Sequence, residues 1–148
     1  MKQFPTSYEI PCIYPQLQHS ASTVFVDVPG SKSITNRALL LATLADGTST
    51  LKGVLFSDDS RHFLSCIQAL GFETQVDEKK AIITIKGENG RIPLKEASQY
   101  VGSAGTAARF LTAVLGVSKG VYHMNASEQM KKRPMAPLLA SLKELGCE

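Results

Sequence analysis

The sequence predicts an α/β (α+β) chain made of repeated βαβαββ units, one complete and one truncated before its final hairpin. Three observations predict it. Two segments resemble each other: GSKSITNRALLLATLADG followed by SDDSRHFLSCIQALGFE, and GSAGTAARFLTAVLGVSKG followed by SEQMKKRPMAPLLASLKELGCE. Gly30, Ser31 and Arg37 recur as Gly102, Ser103 and Arg109 at an offset of 72, and Leu70, Gly71 and Glu73 recur as Leu145, Gly146 and Glu148 at an offset of 75. A shared period argues for one supersecondary unit used twice. In each copy, short β-rich runs alternate with stretches whose apolar residues recur at helical spacing. Each copy also carries a loop of small residues, GSKS or GSAGT, directly before a helix. The boundaries implied are an N-terminal extension over 1–21, a first unit over 22–90 and a truncated second unit over 91–148.

The elements follow in order. STVFVDV (22–28) is β-branched and alternating, which predicts a strand. A helix over about 33–45 comes next, apolar on most sides at Ala38, Leu39, Leu40, Leu41 and Leu44, and Asp46-Gly47 stops it. TSTLKGVL (48–55) reads as a second strand. Ser57 is a candidate N-cap, with Asp58 and Asp59 in the first turn where acidic groups complement the helix dipole. That helix carries Phe63, Leu64, Ile67 and Leu70 on one stripe and ends at Gly71. ETQVDEKKAIITIKG reads as two strands around a polar turn. In the second copy, QYV is a short strand, 105–115 a helix and GVYHMNA a strand. Pro134 starts a last helix, with Pro137 still in its first turn, where backbone N–H groups lack helical partners. Its stripe is Met135, Leu138, Leu139, Leu142 and Leu145.

Composition narrows the function classes. The chain has 148 residues, 43% hydrophobic and 20% charged, which is a soluble globular profile. The longest apolar run, ALLLATLA, is far shorter than the roughly 20 residues a bilayer requires. No signal peptide is visible, and Cys12, Cys66 and Cys147 are odd in number and widely spaced. They read as free thiols in a reducing cytosol, so the expected location is cytoplasmic. His19, His62 and His123 show no metal-ligand spacing. A net charge of +3 does not call for nucleic acid, and the four tyrosines form no stacking platform among the basic residues.

The chemistry lies in the loops. Helix N-termini offer free N–H donors and a partial positive charge, which suits an anion. The first loop adds Lys32 and Arg37; the second copy adds Arg109 and, further on, Lys131, Lys132 and Arg133. A cation at a helix start opposes the dipole by up to about 1 kcal/mol. A ligand anion reverses that balance, since one pair at ~4 Å in a medium of effective dielectric ~20 gains about 4 kcal/mol before desolvation. Of the run 131–133, only Arg133, beside Pro134, has a positional argument; the lysines read as a solvated face. Asp58 and Asp59 read as caps rather than as catalytic acids. The nucleotide-binding pattern GxxxxGK[ST] fails twice, because Val26 and Ser31 stand where its glycines belong, and GxGxxG is absent.

PGSKSITNRALLLATLADGTSTLKG, SDDSRHFL, GSAGTAARFL and KKRPM, in this order and spacing, resemble the N-terminal part of the 5-enolpyruvylshikimate-3-phosphate synthases (3-phosphoshikimate 1-carboxyvinyltransferases), over about 24–146. The resemblance implies a two-domain parent enzyme of six βαβαββ units with its active site between the domains. The implied reaction transfers the enolpyruvyl group of phosphoenolpyruvate to the 5-hydroxyl of shikimate 3-phosphate, in the shikimate pathway to chorismate and the aromatic amino acids. It implies no metal and no organic cofactor, no nucleic-acid partner and no membrane. Carried over by position, Lys32 touches both substrates near the reacting centre, and Ser33 and Arg37 hold shikimate 3-phosphate. Gly105 lets the backbone approach phosphoenolpyruvate, and Arg133 grips that anion. Asp59, Thr106 and Arg109 follow as supporting residues. Ser103 stands where the family often has asparagine, and Phe110 where it has proline. Family members are far longer, so a C-terminal portion is missing and the chain alone is expected to be inactive. Two alternatives remain at this point: a free-standing anion- or RNA-phosphate-binding module, and a relative of the UDP-N-acetylglucosamine enolpyruvyl transferases.

Overall fold

The computed structural model describes residues 25–147, together with Ser7 and Glu9. The described elements, in chain order, are α1 (Lys32–Leu44), β1 (Asp46–Lys52), α2 (Asp58–Ala69), β2 (Thr74–Asp77), β3 (Ile82–Glu88), β4 (Glu96–Tyr100), α3 (Gly105–Gly116), β5 (Val121–Asn125), α4 (Glu128–Lys131) and α5 (Ala136–Glu144). The class is mixed α/β, as expected. The predicted strand 22–28 is not borne out where it can be seen: residues 22–24 lie outside the described residues, and 25–28 form no strand. Phe25, Val26 and Val28 are exposed. Their alternation favours an extended chain, but a strand also needs a neighbour to share its ladder, and these residues have none among those described. The expected extension over 1–21 falls outside the described residues apart from Ser7 and Glu9.

Ser31 caps α1 by accepting the Ile34 N–H at 3.4 Å. Only one face of α1 is buried, through Thr35, Asn36, Leu39, Ala42 and Thr43. Leu41 points outward at 66% exposure, so the apolar surround expected for this helix is in fact one-sided. The chain enters strand conformation at Asp46, two residues earlier than expected, because Asp46 already pairs with Glu88. β1 and β2 flank β3 in an antiparallel sheet ordered β1-β3-β2, with Lys52 opposite Ile82 and Thr74 opposite Ile85. A Cβ at Gly30 would overlap the Gly53 carbonyl, so only glycine lets the loop before α1 lie on the end of β1.

Ser57 and Ser60 form a reciprocal capping box at α2, with Asp58 and Asp59 in the first turn. The predicted stripe of that helix, Phe63, Leu64, Ile67 and Leu70, is buried throughout. β4 and β5 pair in parallel, Glu96 with Val121 through Tyr100 with Asn125. One apolar cluster joins the halves of the chain: Leu39, Phe63, Ile67, Ile83 and Ile85 pack in the same core as Val101, Ala107, Leu111 and Met130. The four-residue α4, capped by Ser127, was not anticipated; one turn is too short to show a hydrophobic period. The last helix begins at Ala136, not Pro134, and Pro137 sits in its first turn. None of its residues is buried, and Leu139 and Leu145 of its predicted stripe are exposed. No helix among the described residues is long and apolar enough to cross a membrane.

Candidate functional site

The site assembles where α1, α2 and α3 meet. Lys32 is the first residue of α1, and its Nζ lies 3.0 Å from an Asp59 carboxylate oxygen. Asp59 therefore does more than cap α2: it crosses to α1 and holds the lysine. Both groups remain solvent-accessible, so the pair contributes at most about 1 kcal/mol and acts chiefly on geometry. One turn into α1, Arg37 donates to the Ser33 carbonyl at 3.0 Å and places its guanidinium 5.7 Å from the centre of the Phe110 ring. Phe110 thus carries Arg37 by a cation–π contact across two helices. Proline could not do this, and the aromatic residue next to Arg109 was its only trace in the sequence.

The second loop brings the other cations together. Ala104 occupies the N-cap of α3 and offers no side-chain acceptor, so the first-turn N–H groups have no side-chain cap. Gly105 opens the helix with ordinary negative-φ geometry, since it is not among the positive-φ glycines. Its missing side chain makes space: a Cβ there would stand 2.8 Å from Arg133 Nη1 and 3.0 Å from Arg109 Nη1. Arg109 donates to the Gly105 carbonyl at 3.3 Å and to the Pro134 carbonyl at 3.4 Å. It therefore bridges α3 to the segment that presents Arg133. Thr106 follows Gly105, half-buried in the first turn.

The charge pattern separates bound from available cations. Lys131 is paired with Glu128 at 2.7 Å, and that carboxylate raises its pKa. Arg37, Arg109 and Arg133 are exposed and have no carboxylate within 4.0 Å among the described residues. The contacts above place all three around the first half of α3, which can therefore receive a multiply charged anion with guanidinium forks. The structure brings Arg109 and Arg133 together at Gly105; Arg37 reaches the same helix separately, at Phe110, and Lys32 pairs with Asp59 of α2.

Among the described residues, the thiols Cys66 and Cys147 stay apart from this chemistry. Burial pushes the Cys66 thiol up to about 11, and the thiol donates to the Tyr100 carbonyl at 3.5 Å. No cluster of three or more His, Cys, Asp or Glu residues suited to a metal occurs among the described residues. A cavity of about 950 Å³ between α3, β5 and α5, lined by Leu115, Met124, Leu142 and Cys147, contains none of the predicted site residues.

Comparisons with known proteins agree with the motifs. A family model described as EPSP synthase (3-phosphoshikimate 1-carboxyvinyltransferase) matches residues 18–148. The 3-phosphoshikimate 1-carboxyvinyltransferase of Trichormus variabilis is 47% identical over 121 residues, covering 82% of this chain and 28% of its own length. That of Nitrosomonas eutropha is 45% identical over 122 residues, with the same two coverages of 82% and 28%. A solved structure of EPSP synthase from Acinetobacter baumannii superposes with a TM-score of 0.75 at 28% identity, over 83% of this chain and 28% of that one. The chain thus spans 28% of the length of these relatives.

Proposed function

The chain belongs to the EPSP synthase family, and on that premise we propose that it forms part of the anion-binding shell of a 3-phosphoshikimate 1-carboxyvinyltransferase. The reaction moves the carboxyvinyl group of phosphoenolpyruvate to the 5-hydroxyl of shikimate 3-phosphate and releases phosphate, in the cytoplasm, towards chorismate and the aromatic amino acids. Both substrates carry a phosphate and a carboxylate, so the site must neutralise several charges at once. The observation that carries this reading is the convergence of Arg109 and Arg133 on Gly105, at an uncapped helix N-terminus, with no carboxylate partner for either among the described residues.

In this reading Lys32 contacts both substrates, held in place by Asp59. Ser33 and Arg37 bind shikimate 3-phosphate from α1. Gly105, Thr106 and Arg133 bind phosphoenolpyruvate at the start of α3, with Arg109 fixing the approach of Arg133. Neither substrate calls for a metal or an organic cofactor here, because guanidinium forks and backbone donors can supply the charge neutralisation. The architecture behind it is one supersecondary unit used twice, over 22–90 and, truncated before its final hairpin, over 91–148. The chain covers 28% of its relatives' length, and the groups for proton transfer are assigned to the remainder, so the chain alone binds without turnover.

Calorimetric titration of the 148-residue chain with shikimate 3-phosphate, phosphoenolpyruvate and single-stranded RNA tests this. Saturable binding of the two metabolites is expected, lost for phosphoenolpyruvate in Arg133→Ala, with no phosphate release above background. Binding of RNA in preference to both metabolites would replace the proposal with a nucleic-acid module.

A further inference from the structure

One face of α2 reaches both loops of the site. Asp59, His62 and Cys66 recur at spacings of three and four residues, which align on a helix. Asp59 holds Lys32 at the start of α1. His62 lies against Gly102, whose φ of +56° belongs to the region that favours glycine. A Cβ built at Gly102 would overlap the His62 imidazole, so the ring occupies the space a side chain would fill. The same ring meets Tyr100 edge to face, with centroids 5.6 Å apart and planes at 76°. One turn further on, the Cys66 thiol donates to the Tyr100 carbonyl at 3.5 Å. The opposite side of the turn is held by Ser127, whose N–H donates to the Gly102 carbonyl at 3.0 Å and whose hydroxyl shares a 2.7 Å hydrogen bond with that of Ser103.

We propose that His62 is a positioning residue of the anion site: it sets the glycine turn 102–105, while Asp59 on the same helix face sets Lys32, so that α2 fixes the spacing between the two loops. The proposal rests on the reading of 102–105 as a phosphoenolpyruvate-binding turn. His62 touches no substrate in it. The imidazole bears on Gly102, and Gly102 leads into the helix start where Gly105 and Arg133 meet. Displacing that start by about 1 Å is enough to cost a well-oriented ligand one to two orders of magnitude.

The test uses the full chain and three variants, His62→Ala, His62→Gln and Asp59→Ala, with two readouts. The first is amide hydrogen exchange at 102–105 without ligand; the second is calorimetric affinity for phosphoenolpyruvate and for shikimate 3-phosphate. In His62→Ala, exchange at 102–105 should rise about tenfold. Phosphoenolpyruvate affinity should fall about tenfold, with shikimate 3-phosphate affinity unchanged. His62→Gln, planar and of similar reach, should restore both. Asp59→Ala should leave exchange at 102–105 unchanged. Unaltered exchange and affinity in His62→Ala would overturn the proposal. So would an equal loss for both ligands that His62→Gln does not restore, because that marks a general packing role. Failure of the wild-type chain to bind either metabolite defeats the substrate assignment, whereas the exchange comparison still decides the role of His62.

Discussion

Gly105→Ala separates the demands of folding from those of binding. Gly105 has no positive φ to protect, and alanine is the better helix former by up to about 1 kcal/mol. A Cβ there would lie 2.8 Å from Arg133 Nη1, which is 0.6 Å inside the 3.4 Å at which such contacts become ordinary; for Arg109 Nη1, at 3.0 Å, the shortfall is 0.4 Å. Both neighbours are the far ends of flexible exposed side chains, so they can swing away at little cost to the fold. Stability should therefore stay level or rise slightly. Binding should suffer, because the displaced fork no longer meets an anion at the helix start. Loss of one charge-assisted hydrogen bond, about 1.5–3 kcal/mol, corresponds to a roughly ten- to hundredfold weaker affinity for phosphoenolpyruvate. Thermal melting and calorimetric titration of the same preparation measure the two effects. A variant that binds phosphoenolpyruvate as tightly as the parent would refute the argument. A loss of several kcal/mol in stability would also refute it, since it would mean that rigid structure, not side-chain tips, crowds the site.

Two further predictions concern the core. Phe63 is fully buried in the shared cluster, and Phe63→Ala should cost about 3–5 kcal/mol, seen as a large drop in the urea midpoint by circular dichroism. Cys66, with its thiol held up to about 11, should carry only about a thousandth of its population as thiolate at pH 8 and resist alkylation until the chain unfolds, as peptide mass spectrometry can show. Because the folded value lies above the ordinary one of about 8.5, the linked stability is complete below that pH and fades as pH rises towards about 11. The melting temperature should fall across that window, and Cys66→Ala should remove that part of the slope.

Helix positions were the most legible part of the fold. Ser57 with Asp58 and Asp59 marked the start of α2, and the stripe through Leu70 marked its buried face, because caps and periods are local properties that survive whatever packs around them. The strand 22–28 was misread at 25–28 for the complementary reason: alternation records a preference, while pairing depends on a neighbour. Leu41 and the stripe of α5 show the same limit for burial, since an apolar side chain is covered only where another element lies over it. At the site, the basic residues could be named from their loops. The pairing of Lys32 with Asp59, and the exposure of arginines without a carboxylate partner among the described residues, could not, because Asp59 reaches Lys32 only in the folded chain.

The sequence by itself determined where α2 begins and which residues line its core face, which small-residue loops precede cationic helices, and the family to which the motifs belong. These follow from spacing along a chain whose backbone has few local choices. Tertiary structure alone decided that Phe110 carries Arg37, that Gly105 makes room for two guanidinium groups and that His62 underlies Gly102. The contacts of Phe110 with Arg37, Gly105 with Arg133 and His62 with Gly102 join residues far apart in the chain, and such a distance across space is fixed only once the shared core has locked the elements together.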